Sequence, residues 1–392
     1  MTSIPEIDAL LRHAAEAGEV PGVVALAATP DRVLYEGAFG RRDLAERSAM
    51  TPDTIFRIAS MTKAVTSVAA MQLVEEGLIE LDQPIGRVLP ELAAPQVLAG
   101  FDAAGKPRLR PARRPITLRH LLTHTAGFGY EMLNSDLIRY IHRTATPSTS
   151  TGKLASLHLP LLFEPGERWE YGISIDWVGR AVEAVSGQSL DVYFREHIFA
   201  PLGMKDSGFE LSPEQMSRLA RVHQRQTDGS LQPLAIDMPP PRPEFWAGGG
   251  GLYSTGRDYL RFLQMILNRG HLDGARLLRP ETVAAMAANQ TGDLDAGVMR
   301  TAMPERTNDF ALFPGMRCQW GLGWMITPFA GPNGRSAGSL TWGGIFNSYY
   351  WIDPAKHVAG VILAQFLPFA DPRALAVSAA FERRVYEALS AG

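Results

Sequence analysis

Cysteine is almost absent from the 392-residue chain, which contains only Cys318. A single thiol excludes an internal disulfide framework and a cysteine-rich metal site, so we expect Cys318 to be a packing residue. The nine histidines form no recognisable cluster with carboxylates at metal-ligand spacing. The glycine run that begins at Gly248 does not open a phosphate-binding loop. We therefore expect neither a metal ion nor a nucleotide cofactor.

An excess of charge of one sign is also absent, because 38 Lys and Arg residues nearly balance 41 Asp and Glu residues. A formal net charge of -3 argues against electrostatic binding to nucleic acid or to an anionic membrane surface. The sequence has no run of about eighteen apolar residues and does not begin with a basic segment followed by an apolar one. These features favour a soluble cytoplasmic protein with a small-molecule substrate, and they leave the oligomeric state open.

Strand-like patterns occur near both ends of the chain, with helical patterns between and outside them. The predicted strands are residues 22–27, 32–36, 323–326, 339–342, 348–352 and 358–365. Terminal helices are predicted over residues 7–17 and 374–389. The pattern indicates an α/β (α+β) fold with one antiparallel sheet that is built from both chain ends and flanked by helices.

Residues from about 82 to 243 differ from the rest of the chain, with proline-rich loops and short helical patterns. We interpret this stretch as a mainly helical insertion. The predicted organisation is a sheet-containing α/β domain of residues 1–81 and 248–392 and an inserted helical domain of residues 82–247. A cleft between two such units is the default position for an active site.

Ser60 and Lys63 form a Ser-x-x-Lys motif at the start of a predicted buried helix over residues 61–74. Residues three apart share a helix face, so the lysine can approach the serine hydroxyl. Burial disfavours the ammonium form of a lysine side chain and so allows it to act as a base. The alternative interpretation is a structural one, with Ser60 as a helix cap and Lys63 extending to water.

Two other serines match short catalytic motifs. Ser150 is followed by Lys153 at the same spacing, but it lies in a polar Pro/Thr-rich loop. Ser336 lies in a Gly-x-Ser-x-Gly pattern, which in α/β-hydrolases requires a strand before the serine and a helix after it. Because Gly and Pro precede Ser336 and a strand-like run follows it, a hairpin turn is expected there.

Several motifs in order resemble those of the beta-lactamase-related serine hydrolases. They are residues 59–63 (ASMTK), 121–127 (LLTHTAG), 163–166 (FEPG), 170–174 (EYGIS), 201–204 (PLGM) and 342–344 (WGG). Within that group the chain most resembles the carboxylesterases often called family VIII, whose fold resembles class C β-lactamases.

The resemblance implies roles for individual residues. It implies Ser60 as nucleophile, Lys63 as its lysine and Tyr171 as the activating tyrosine, with Tyr130 left open as a competing base or a substrate-lining residue. It also implies an oxyanion hole formed by the backbone N–H groups of Ser60 and Ile345. A last set of residues is expected to line the substrate: Trp342, Gly343 and Gly344, where two glycines allow close approach to the strand backbone.

His124 is expected to have a structural hydrogen-bonding role, since the resemblance gives it no catalytic task.

The expected function is hydrolysis of short-chain carboxylic esters through an acyl-enzyme on Ser60. One alternative is a β-lactamase or D-amino-acid peptidase, and another is a non-catalytic binding protein that retains the fold. Against the β-lactamase alternative, Trp342 occupies the position where a lysine would meet a substrate carboxylate.

Overall fold

The computed structural model describes residues 4–236, 240 and 242–391. Its α-helices are α1 (Pro5–Glu16), α2 (Thr62–Glu75), α3 (Leu118–Leu122), α4 (Ser135–Thr144), α5 (Ser174–Ser186), α6 (Leu190–Phe194), α7 (Ala200–Leu202), α8 (Pro213–Ser217), α9 (Gly256–Leu267), α10 (Pro280–Met286) and α11 (Pro372–Ala391). Its strands in the first half of the chain are β1 (Gly22–Ala28), β2 (Val33–Asp43), β3 (Ser48–Ala49), β4 (Ile55–Arg57), β5 (Gln96–Phe101), β6 (Pro107–Pro111). The remaining strands are β7 (His223–Arg225), β8 (Leu231–Pro233), β9 (Tyr253–Thr255), β10 (His271–Leu272), β11 (Ala275–Arg276), β12 (Gln319–Trp320), β13 (Met325–Thr327), β14 (Ser339–Gly344), β15 (Ser348–Asp353), β16 (Val358–Leu363) and β17 (Phe366–Leu367).

The central sheet is antiparallel and joins the two ends of the chain. Its eight strands follow the order β12-β13-β14-β15-β16-β1-β2-β3, and β1 pairs with β16 with Val24 opposite Leu363. Every residue of β1, β14, β15 and β16 is buried. Such strands need cover on both faces. Helix α9 packs on β1, β15 and β16, while α1 packs on β1, β2 and α11. The predicted fold class is therefore confirmed.

The predicted helices and strands agree well with the structure at the chain ends and less well between them. Helix α1, strand β1 and the strands from β13 to β16 occur where the hydrophobic pattern places them, and β2 extends further than expected, to Asp43. The region from 82 to 247 contains helices α3 to α8, but also the β5–β6 hairpin and the β7–β8 pair, which the pattern did not predict. Their strands are short, and β6 is largely exposed, so no alternation of apolar and polar residues marks them.

Helix α2 is buried on nearly all sides and packs on α5. A single 3₁₀ turn, Ala59–Met61, leads from strand β4 towards it. The end of β14 lies against this turn, because a Cβ on Gly344 would approach the Ile58 carbonyl oxygen to 2.5 Å. Only glycine allows the strand to lie so close. The sheet and α2 thus meet at the residues that surround Ser60.

Among the described residues, no helix combines the length and the apolar character needed to cross a membrane.

Candidate active site

Ser60 and Lys63 are brought together as their spacing predicts. Lys63 is 1% exposed, and its Nζ lies 3.1 Å from the Ser60 Oγ. Ser60 does not cap the helix, since α2 begins after Met61 and no side chain caps its first turn. The residue before Ser60, Ala59, has a φ of 46°, a conformation that is costly for a residue with a Cβ. The structural interpretation of this pair, a capping serine and a lysine that reaches water, is therefore wrong.

Three oxygen atoms surround the Lys63 amine. Besides the Ser60 Oγ, they are the Tyr130 hydroxyl at 3.2 Å and the Gly249 carbonyl at 2.5 Å. An ammonium group has three N–H donors and fits all three partners. A neutral amine fits equally well, because it can donate to the carbonyl and to Tyr130 while it accepts the hydroxyl proton of Ser60. The arrangement thus suits a group that takes up and returns one proton.

Tyr171 lies beside Lys63 and presents its ring to the amine. The Lys63 Nζ is 4.7 Å from the Tyr171 ring centroid, and the indole Nε1 of Trp342 donates a hydrogen bond of 3.0 Å to the Tyr171 hydroxyl. Tyr171 and Trp342 also line, with Ser60, a cavity of about 30 Å³.

Tyr130 is held differently from Tyr171. Burial raises the pKa of the Tyr130 hydroxyl well above its usual value, and the carboxylate of Asp176 raises it further. Its hydroxyl contacts the Lys63 amine at 3.2 Å, a position from which it can hold the lysine.

The two tyrosines can be separated by mutation. We expect Tyr171→Phe to lower kcat/KM for a nitrophenyl ester by at least about a hundredfold, the scale of a positioned proton-transfer group. Tyr130→Phe, which removes one hydrogen bond from Lys63, should cost about tenfold or less. Steady-state kinetics on the two variants makes the comparison. An inactive Tyr130→Phe beside an active Tyr171→Phe would exchange the two roles.

Ile345 follows β14 and lies next to Ser60, since it lines with Ser60 both the small cavity and a larger one. Gly343 also lines the small cavity. This placement is compatible with an oxyanion hole of the Ser60 and Ile345 N–H groups, an assignment that stays a prediction.

The larger cavity has a volume of about 500 Å³ and opens over Ser60. Its walls are mostly apolar and include Met132, Ile138, Ile141, Leu157, Phe209, Phe245 and Trp246. Part of the cavity is lined by two segments, residues 148–152 and 243–247. These segments are joined by the hydrogen bond from the Glu244 N–H to the Gly152 carbonyl, 2.7 Å long.

The first lining segment is anchored by Glu131. Its carboxylate accepts hydrogen bonds from the Ser148 hydroxyl at 2.5 Å and from the Thr149 N–H and hydroxyl at 3.1 and 2.9 Å. Ser150 therefore lines the cavity, but it does so from a loop in which its hydroxyl pairs with that of Ser148 at 3.0 Å. No sequence pattern indicates that this loop returns to the site, because its contacts are with residues distant along the chain.

Ser336 lies outside the site, in the connection between β13 and β14. Its N–H donates to the Asp353 carboxylate at 2.8 Å, and an antiparallel strand follows it rather than a helix. The expected hairpin is confirmed.

His124 departs from its expected role as a hydrogen-bonding residue. Among the described residues, neither ring nitrogen has a hydrogen-bond partner. The ring instead packs 4.8 Å from the Tyr171 ring and edge-on to Trp320 at 5.2 Å. Burial lowers the pKa of His124 well below its usual value, and the charge of Lys63 adds to this effect. His124 is thus a neutral packing residue beneath Tyr171.

The structure also bears on metal and phosphate binding. His120 and His124 are four residues apart, but helix α3 ends at Leu122, and His120 Nδ1 accepts a hydrogen bond from the Thr117 N–H. Within the described part of the chain, no three His, Cys, Asp or Glu side chains are grouped to hold a metal.

Residues 100–106 read Gly-x-x-x-x-Gly-Lys. They form the end of β5 and the β5–β6 turn, whereas a phosphate-binding loop connects a strand to a helix.

Comparison with known proteins identifies the family. The model of the Beta-lactamase family matches residues 7–383. The chain belongs to this family. It is 34% identical to monacolin J acid methylbutanoyltransferase of Aspergillus terreus, over 97% of this chain and 95% of that protein. It is 32% identical to lovastatin esterase of Penicillium rubens, over 98% of this chain and 99% of that protein.

Among solved structures, the unliganded selenomethionyl form of simvastatin synthase (LovD) from Aspergillus terreus superposes with a TM-score of 0.86. It is 34% identical, over 99% of this chain and 98% of that one. This member of the Beta-lactamase family therefore has the fold of serine hydrolases and acyltransferases, and the resemblance to beta-lactamase-related serine hydrolases is confirmed.

Two residues at the site were missed from the sequence, Glu131 and Asp176. Each is a carboxylate in a segment without a recognisable motif. A carboxylate within the apolar pattern of α5 was the available signal for Asp176.

Proposed function

We propose that the protein is a serine carboxylesterase of the family VIII kind that hydrolyses esters with a short acyl group through an acyl-enzyme on Ser60. The observation that carries the proposal is the buried Lys63 amine 3.1 Å from the Ser60 hydroxyl, beneath a largely apolar cavity. Relatives named as an esterase and as acyltransferases support ester chemistry.

The reaction begins with attack of the Ser60 Oγ on the ester carbonyl carbon, while its proton passes to Lys63 or Tyr171. Backbone N–H groups of Ser60 and Ile345 stabilise the oxyanion, and each such donor contributes about 3 kcal/mol to transition-state stabilisation. The C–O bond to the alcohol then breaks, and Tyr171 or Lys63 returns the proton to the leaving oxygen. A water molecule attacks the acyl-enzyme in the same way and releases the carboxylic acid and free Ser60.

The two cavities at Ser60 differ in size and suit the two halves of an ester. The cavity of about 30 Å³ beside Tyr171 and Trp342 accommodates a small acyl group. The cavity of about 500 Å³ is in the range of pockets that hold drug-sized molecules and accommodates a bulky apolar alcohol. The same large cavity would admit an alcohol in place of water, so acyl transfer is a second candidate reaction. The relatives named as acyltransferases favour it.

A direct comparison of substrates tests the proposal. We expect kcat/KM for nitrophenyl butyrate to exceed that for nitrocefin by at least about a hundredfold. Trp342 provides an apolar wall where a β-lactam carboxylate would need a cation, and loss of that partner costs a few kcal/mol. Ser60→Ala serves as the blank for both substrates.

Two outcomes would contradict the proposal and favour another function. Arg306 lines the large cavity, and a larger constant for nitrocefin would show that such a cation supports β-lactamase activity instead. Absence of turnover with both substrates and with a panel of longer esters would favour a non-catalytic binding protein.

A further inference from the structure

Asp176 is a buried carboxylate in the wall of the large cavity that the proposed chemistry does not use. It lies in the first turn of α5 and is 6% exposed. One carboxylate oxygen, Oδ1, accepts a hydrogen bond of 2.8 Å from the Gly249 N–H. Among the described residues, no Lys, Arg or His nitrogen lies within 4.0 Å of its carboxylate oxygens. A buried carboxylate with so few partners is costly for stability, which points to a role at the site.

Gly249 connects Asp176 with Lys63 through the two peptide groups on either side of its Cα. Its N–H donates to Asp176 at 2.8 Å, and the carbonyl oxygen of the same residue accepts from the Lys63 Nζ at 2.5 Å. Side-chain size is restricted here, because a Cβ on Gly249 would lie 2.6 Å from the Asp176 Oδ2. Asp176 and Lys63 therefore hold the two sides of one residue, the N–H before the Gly249 Cα and the carbonyl after it.

The charges of Asp176 and Lys63 also interact directly. Burial raises the pKa of the Asp176 carboxyl, and the positive charge of Lys63 counteracts this rise. The other polar groups that face the lysine are the Ser60, Tyr130 and Tyr171 side chains and the neutral ring of His124. Asp176 is thus a buried carboxyl group at the site whose charge can balance a charge on Lys63.

We propose that Asp176 is a positioning residue that acts on Lys63 as a buried counter-ion and by holding the backbone at Gly249, and so sets the pH range in which Ser60 is activated. This inference rests on the proposed function of Ser60 and Lys63. An anion beside a basic group favours the protonated form of that group, so loss of the Asp176 charge should displace the pH dependence of activity towards lower pH.

The test is the pH dependence of kcat/KM for nitrophenyl butyrate in Asp176→Asn. Asparagine keeps an oxygen that can accept the Gly249 N–H but carries no charge. We expect the acid limb of the profile to move to lower pH by about one unit, with a plateau within about tenfold of the wild type. In Asp176→Ser, which cannot retain the same hydrogen bond, the acid limb should also move while kcat at the plateau falls further.

Asp258→Asn provides a matched control. Asp258 is also a buried aspartate in the first turn of a helix, α9, and it accepts a hydrogen bond of 2.7 Å from the Asp206 N–H. It does not line the cavities at Ser60. Its substitution should leave the acid limb in place.

An acid limb in Asp176→Asn that overlays that of the wild type, while Ser60→Ala is inactive, would overturn this inference and leave the proposed function intact. Retained turnover in Ser60→Ala would instead overturn the proposed function. If Asp176→Asn does not fold, as judged by its thermal transition, Asp176→Ser decides the result by the same displacement of the acid limb.

Discussion

Ser60→Ala should abolish ester hydrolysis, with kcat for nitrophenyl butyrate reduced by at least about ten thousandfold, the scale seen when a serine nucleophile is removed. The reason is local geometry. Ser60 is the serine whose hydroxyl lies 3.1 Å from a buried lysine amine, and it lines both cavities at the site. The measurement is steady-state release of nitrophenol by purified variants at equal concentration.

Two other serines are matched controls for this prediction. Ser150→Ala alters a hydroxyl on the wall of the same cavity, and Ser336→Ala alters the serine of the Gly-x-Ser-x-Gly motif in the β13–β14 connection. Both variants should retain activity within about tenfold of the wild type. Loss of activity in Ser336→Ala, together with an active Ser60→Ala, would overturn the assignment of the nucleophile.

Lys63→Met should reduce kcat by at least about a thousandfold, more than either tyrosine substitution. Methionine retains much of the buried stem but removes the amine that contacts Ser60, Tyr130 and the Gly249 carbonyl. Ser60 then loses the amine as its base, and general-base catalysis is worth about a hundred- to ten-thousandfold.

The thermal stability of the Lys63 variant shows whether its loss of activity is catalytic or structural. Substitution of Lys63 leaves the buried Gly249 carbonyl without its lysine partner, a loss of about 1–3 kcal/mol in the free energy of unfolding. At the same time it removes the charge that opposes Asp176. Both kcat and the thermal unfolding transition should therefore be measured on the same preparation. A folded Lys63→Met with kcat within tenfold of the wild type would exclude the lysine as base.

The features that the sequence predicted correctly are those set by local spacing. Lys63 follows Ser60 by three positions at the start of α2, and this spacing brings the two side chains together. The continuous apolar pattern of α2 predicts that the helix is buried. Apolar runs and the alternation of apolar and polar residues likewise predicted β1 and the strands β14 to β16. The resemblance to known motifs pointed to Tyr171, the end of β14 and Ile345, which lie with Ser60 around one cavity, and their roles stay predictions.

Features that depend on long-range contacts were not predictable in the same way. The hydrogen bond between Tyr130 and Lys63 joins residues 67 positions apart, and that between Asp176 and Gly249 spans 73 positions. No local pattern reports such a pairing. His124 shows the same limit, because its ring is enclosed by aromatic residues from distant segments, Tyr171 and Trp320, and not by hydrogen-bond partners.

The central claim is that Ser60 is the residue that becomes acylated, and covalent labelling tests it most directly. A fluorophosphonate probe followed by trypsin digestion and mass spectrometry separates the three candidate serines, since cleavage after Lys and Arg places them in the peptides 58–63, 144–153 and 336–356. We predict one label per chain, on Ser60 in peptide 58–63, with loss of ester hydrolysis in proportion to labelling. A label on Ser150 or Ser336, or continued turnover by a fully labelled protein, would contradict the account.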